Sequence, residues 1–109
     1  MVLAAEKSIE VVDADGRRIH IKRLSALDKL RLFKAVGPSL AQNEPYLGLA
    51  VLASSVTSID GVPMPPPVNE THIEGMVSRL GDAGLAAVAS GLSEIANSGE
   101  RTSKDLAGN

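Results

Sequence analysis

The sequence contains no cysteine and no tryptophan, and Phe33 and Tyr46 are its only aromatic residues. Without cysteine, the chain has no disulfide framework, no thiolate nucleophile and no metal site built on thiolate ligands. Two rings are too few for the stacking platforms that hold single-stranded nucleic acid. The most apolar stretch, residues 46–53, is far shorter than the roughly 20 residues that a membrane helix needs. We therefore predict no membrane partner.

Motifs of nucleotide and hydrolytic chemistry are also missing. The sequence has no Gly-Lys dipeptide of a phosphate-binding loop, and its Ser-Gly pairs lack the leading glycine of a nucleophile elbow. His20 and His72 are the only imidazoles, and their separation does not fit the paired histidines of a metalloprotease helix. We predict a non-enzymatic protein with no catalytic residue, no metal and no cofactor.

The length and composition predict one globular domain. The chain has 109 residues, of which 44% are hydrophobic and 22% charged, close to the average for soluble proteins. The first residues lack the pattern of a secretory signal. We assign residues 1–97 to a single domain and expect the polar residues 98–109 to form a disordered tail.

Residues 8–22 carry the signature of a β-hairpin. Two alternating strands flank the turn-forming sequence DADG at 13–16, with Gly16 where a positive φ is needed. A loop over residues 14–16 places four pairs opposite each other, including two of opposite charge: Asp13 with Arg17, Val11 with Ile19, Glu10 with His20, and Ile9 with Ile21. This register collects the apolar residues on one face, which another element must cover.

Four short helices are predicted after the hairpin, over residues 26–36, 46–57, 70–80 and 83–96. Each begins after a polar N-cap: Ser25, Asn43, Asn69 and Asp82. In the first helix, the apolar sector expected to face the core contains Ala26, Leu30, Leu32, Phe33 and Val36. In the last helix, small residues should let another helix approach closely. Between the second and third helices, IDGV at 59–62 predicts a tight turn with short arms. The predicted fold is α+β, with an N-terminal β-hairpin packed on a small bundle of about four short α-helices.

Charge is distributed unevenly along the chain. The formal net charge is −2, but residues 17–34 carry seven basic side chains against one acidic side chain, Asp28. This basic segment favours an acidic partner or self-association of opposite faces, with an ordinary solvated face as the alternative. The predicted partner-binding residues are Arg17, Arg18, Lys22, Arg23, Lys29, Arg31 and Lys34. Nucleic acid is not predicted, because the helix that would enter a groove, residues 83–96, has no Lys or Arg and carries Glu94.

Over residues 8–96 the chain resembles the small tail assembly chaperones of long-tailed bacteriophages and prophages. The similar stretches are DGRRI at 15–19, LSALDKLRLFKAVG at 24–37, YLGLA at 46–50, IDGVP at 59–63 and VSRLGD at 77–82. The resemblance lies in an overall pattern and transfers no functional residue.

This resemblance implies a protein of the bacterial host cytoplasm that is absent from the mature virion. It would keep the tape measure protein soluble and help to recruit tail tube subunits. An aliphatic helical surface suits such a partner, since long helical proteins with bare apolar faces aggregate. Two alternatives stay open: a structural virion component, such as a tail completion or connector protein, and a small DNA-binding regulator.

Overall fold

The computed structural model describes the backbone of residues 8–108 and the side chains of residues 8–97. Within this range the fold is α+β, with one antiparallel sheet in the strand order β1-β2-β3-β4 and three α-helices. The strands are β1 (Ser8–Val12), β2 (Arg18–Lys22), β3 (Val56–Ile59) and β4 (Val62–Pro63). The helices are α1 (Ala26–Val36), α2 (Glu44–Ser54) and α3 (Glu70–Gly108), with a short 3-10 helix at Leu40–Gln42 before α2.

The predicted hairpin and its register are confirmed. Ile9 lies opposite Ile21, Glu10 opposite His20 and Val11 opposite Ile19. Gly16 closes the turn with φ of 83°, which a glycine adopts without steric cost. Ile19 and Ile21 are fully buried, so the apolar face is covered as the alternating pattern requires.

The N-terminal hairpin, predicted to pack alone on the helices, belongs to a four-stranded sheet. The tight turn with short arms predicted at residues 59–62 is confirmed, and its arms extend the sheet as β3 and β4. The predicted central helix over 46–57 ends at Ser54, and the chain turns at Ser55 into β3, which pairs with β2. Val56 and Thr57 are β-branched and suit an extended strand, and the tight turn at Asp60 and Gly61 returns the chain as β4. Because β4 is the edge strand, its proline breaks no ladder in the sheet interior.

The third and fourth predicted helices form α3, which is interrupted at Gly81. There φ is 64° and ψ is −175°, a conformation that ends the segment 70–80 before the segment 82–108 begins. The predicted boundary at this glycine is correct. The second segment, expected to end at residue 96, continues to Gly108, because residues 97–107 contain no proline and several good helix formers. The predicted disorder of residues 98–109 stays a prediction, since no side chain beyond Asn97 is described.

Two hydrophobic clusters form the core, and α3 contributes to both. The first joins the inner face of the sheet to both segments of α3 through residues such as Ile21, Leu80 and Val88. The second joins α1, α2 and the segment 70–80 around Leu32 and Ala50. Val77 packs against both clusters.

The first helix is oriented differently from the prediction. Only Leu32 and Val36 are buried, whereas Leu30 and Phe33 of the predicted core sector are 65% and 43% exposed. Apolar residues occupy most of the circumference of this helix, and its packing against α2 and α3 covers only one side. The pattern alone therefore could not select the buried side.

The small residues of the last helix were predicted to let another helix approach. In the structure Gly91 instead lies against the sheet. A Cβ atom at Gly91 would lie 2.6 Å from Cδ1 of Ile21 and 2.7 Å from Cγ1 of Val11. Real Cβ atoms do not come so close, and both neighbours are held in paired strands.

We expect Gly91→Ala to lower the free energy of unfolding by about 1–3 kcal/mol, the usual cost of overpacking a core. Urea denaturation followed by circular dichroism measures this. Gly75→Ala is the matched control, because a Cβ at this exposed helical position meets nothing within 4 Å. The control should gain about 0.5–1 kcal/mol from its higher helix propensity. Equal free energies of unfolding for the two variants would contradict the close approach of Gly91 to the sheet.

Candidate partner-binding surface

The seven predicted partner-binding residues do not form one patch in the structure. Arg17 points into the molecule, Arg18 lies on the sheet, and Lys22 and Arg31 line one pocket. Arg23 precedes α1, and Lys29 and Lys34 are exposed on α1. Within residues 8–97, no carboxylate lies within ion-pair distance of Arg18, Arg23, Lys29, Arg31 or Lys34.

Arg17 holds the hairpin turn to the break in α3. Its Nε donates to Oδ2 of Asp13 at 2.7 Å, while Nη1 and Nη2 donate to the carbonyl oxygens of Arg79 and Leu80 at 2.8 and 2.6 Å. These carbonyls belong to the last turn of the segment 70–80, where helical acceptors lack partners. With its donors occupied in this way, the Arg17 guanidinium stabilises the fold and is not free to bind a partner.

Asp13 is the partner of Arg17 and is itself buried. Burial raises the pKa of its carboxyl group, but the opposing effects are together larger. Hydrogen bonds from the backbone and side chain of Arg17, the Arg17 charge and the backbone N–H of Asp15 lower this pKa below its ordinary value. The ionised carboxylate is therefore a structural element of the native turn.

Arg18 connects the sheet through its backbone and leaves its side chain exposed. Its N–H donates to Oδ1 of Asp60 at 2.8 Å, and its carbonyl accepts from the N–H of Asp60 at 2.7 Å. Asp60 has φ of 49°, as expected in the tight turn between β3 and β4. The Arg18 side chain lies on the polar face of β2 with His20 and Lys22, opposite Ile19 and Ile21.

The start of α1 is fixed by a capping box. Oγ of Ser25 accepts from the N–H of Asp28, and Oδ2 of Asp28 accepts from the N–H of Ser25. Nζ of Lys22 lies 3.6 Å from the same Oδ2 atom. The hydrogen bond from the Ser25 backbone is the main cause that lowers the pKa of Asp28, and Lys22 adds to it.

A pocket of about 70 Å³ opens between the start of α1, the end of α2 and the proline-rich residues 63–67 that follow the turn after β3. Its lining consists of Lys22, Leu24, Asp28, Arg31, Leu32, Ser54, Pro66 and Pro67. Oγ of Ser54 is buried and has no hydrogen-bond partner among the described residues. With two cations and one carboxylate, the lining carries a net positive charge.

The outward side of α1 is the most apolar exposed surface of a helix in the described chain. It contains Leu27, Leu30 and Phe33, which are 51%, 65% and 43% exposed. We call these three residues the α1 face. Lys29, Arg31 and Lys34 surround the α1 face and are also exposed. Leu27 and Ser54 were absent from the predicted site, although a helical wheel places Leu27 and Leu30 away from the buried side at Leu32 and Val36.

Neither a metal centre nor a membrane segment is found in the part of the chain that the structure describes. No three His, Cys, Asp or Glu side chains there are grouped to hold a metal ion. Across the same residues, no helix has the length and apolar character needed to cross a bilayer.

Comparison of the chain with models of protein families, with curated proteins and with solved structures gives no significant match. Functional inference therefore depends on the residues of the chain itself.

The lowered pKa values of Asp13 and Asp28 predict an acid-sensitive fold. Because the unfolded chain binds protons more readily at these carboxyls, their stabilisation is complete above the unfolded value of about 3.9. It is lost as the pH falls through the lower native values. We expect the midpoint of thermal unfolding to drop as the pH is lowered below about 4.

Asp13→Asn isolates the contribution of the turn. We expect this variant to unfold at a lower temperature than the parent at pH 7, and the difference to shrink as the pH falls below 4. Asp15→Asn is the control in the same turn, since the Asp15 side chain is exposed and accepts no hydrogen bond from residues 8–97. A difference between Asp13→Asn and the parent that is the same at pH 7 and pH 2.5 would contradict the assignment to the carboxylate.

Proposed function

We propose that this chain is a non-enzymatic tail assembly chaperone that binds the tape measure protein and helps to recruit tail tube subunits. The observation that carries the proposal is the α1 face, where three large apolar side chains stay exposed on one short helix. Contiguous apolar surface on a small protein is typical of a binding site for another protein.

The distribution of charge supports the same role. The cations around the α1 face have no carboxylate partner among residues 8–97, so they are available to a second molecule. Opposite charges at the rim of an interface speed association and select the partner. The similarity of several sequence stretches to tail assembly chaperones then supplies the identity of the proposed partner.

Co-expression tests the proposal directly. The chain, carrying an affinity tag, would be produced together with the large protein encoded in the neighbouring reading frame. We expect the soluble fraction of the large protein to increase severalfold and the two proteins to copurify, because the chaperone covers apolar helical surface that otherwise aggregates. An unrelated tagged protein of similar size is the control for nonspecific solubilisation.

A large protein that stays insoluble while this chain folds normally would contradict the proposal. The protein content of purified virions gives the second readout, since a chaperone should be absent from mature virions. Detection of the chain in mature virions at a fixed stoichiometry would favour the structural alternative, a tail completion or connector protein.

A further inference from the structure

The pocket and the α1 face lie side by side on α1. Arg31 lines the pocket, and it lies one helical turn after Leu27 and one turn before Lys34. Asp28 and Leu32 line the pocket from the same helix. One molecule bound across α1 would therefore contact the three apolar residues and reach the pocket at the same time.

We propose that this combined surface binds an acidic amphipathic helix of a partner protein, and that one carboxylate of this helix enters the pocket. The carboxylate would accept hydrogen bonds from the Ser54 hydroxyl and the Arg31 guanidinium, close to Lys22. The proposal rests on the proposed function as a chaperone and specifies which surface of this chain acts and which chemistry it recognises.

A carboxylate suits the pocket because of what its lining lacks. A buried hydroxyl without a partner costs free energy, and rotation of the Ser54 side chain toward the pocket would let its Oγ donate to an entering oxygen. Oδ2 of Asp28 accepts from the Ser25 N–H and lies near Lys22. Asp28 makes no ion pair with Arg31. Two cations against one carboxylate leave room for one more negative charge, and guanidinium groups bind carboxylates well.

A helix suits the α1 face because of its shape. The apolar residues follow each other at three-residue spacing and make a ridge along α1. The helix has 11 residues, so it offers about 16 Å of length, or three turns, to a partner lying along it. A partner with an apolar stripe and acidic flanks matches both the ridge and the surrounding cations.

A second copy of this chain matches this surface poorly. Two α1 faces would bring their basic rims together, which is repulsive. The acidic residues of α3, such as Glu70 and Glu74, are not accompanied by an exposed large apolar side chain on that helix within residues 70–97. A membrane surface matches poorly as well, because a concave pocket admits a projecting side chain rather than a flat layer of headgroups.

Fluorescence anisotropy with a labelled synthetic peptide tests the proposal on the full chain. The probe is a peptide of about 20 residues in which a leucine stripe is flanked by glutamates. One comparison peptide replaces every glutamate with lysine, and another has the same composition with the leucines dispersed. We expect the acidic amphipathic peptide to bind, and both comparison peptides to bind at least about tenfold more weakly.

Three variants address the parts of the surface. Leu30→Gln removes the most exposed apolar side chain of the α1 face, Arg31→Gln removes the shared cation, and Ser54→Ala removes the hydroxyl. We expect each to weaken binding of the acidic peptide by about tenfold. Val12→Gln and Arg79→Gln are matched controls, because they change an exposed apolar side chain on β1 and an exposed basic side chain on α3, neither of which lines the pocket. These controls should bind like the parent.

The following results would overturn the proposal that this surface binds an acidic amphipathic helix. Absence of binding, or equal binding of the lysine peptide, would remove the acidic helix as the ligand. Unchanged binding by Ser54→Ala would remove the carboxylate from the pocket. Binding to vesicles of phosphatidylglycerol in place of the peptide would identify a membrane, and a dimer that Leu30→Gln dissociates in sedimentation would identify a second copy. If the large protein is still captured normally by Leu30→Gln and Arg31→Gln, this surface is wrong while the proposed function stands.

Discussion

The arrangement of the molecule depends on the contacts of Arg17. A helix that breaks at a glycine leaves its last carbonyl oxygens without partners, and the Arg17 guanidinium donates to two of them, at Arg79 and Leu80. The same guanidinium is held by Asp13, which also accepts from the backbone of the hairpin turn. One side chain thus joins the turn to the break and sets where the hairpin lies on α3. The segment 82–108 then passes beneath the sheet, and Gly91 lets it approach Val11 and Ile21.

The position of α1 follows from how the two clusters share α3. Leu80 and Val88, on either side of the break, pack in the cluster under the sheet, whereas Ile73 packs with α1 and α2, so α1 lies away from the sheet. It is anchored mainly through Leu32 and Val36. The capping box at Ser25 and Asp28 fixes where the helix starts, and Lys22 adds a contact from β2. These anchors leave Leu30 and its neighbours outside the core while holding the helix in a defined orientation.

Local rules predicted the parts of the fold in which several signals agree. Strand alternation, the glycine of the turn and opposite charges all specified the same hairpin register, and a single glycine with a following acid marked the break at Gly81. The tight turn at residues 59–62 was predicted, but the start of β3 was assigned to the preceding helix because Val56 continues the apolar run of α2 without a breaker. The exposure of Phe33 was missed because apolar residues surround most of α1, and only tertiary contacts select a side. The link from Arg17 to α3 was beyond local rules, since the two carbonyl oxygens of α3 that accept from it lie more than 60 residues away.

The candidate surface, like the fold, could be predicted from the sequence only in part, because local rules do not show tertiary contacts. Composition identified the basic segment, but it could not separate Arg17, whose guanidinium is bonded within the fold, from Arg31, which is exposed beside the pocket. That separation matters physically because a small protein that exposes Leu27, Leu30 and Phe33 risks associating with itself. Cations around these residues oppose the approach of another basic copy, while they attract an acidic partner. In the proposed role, the same charges would keep the α1 face accessible and select what covers it, which would account for exposed apolar and unpaired basic residues on one helix.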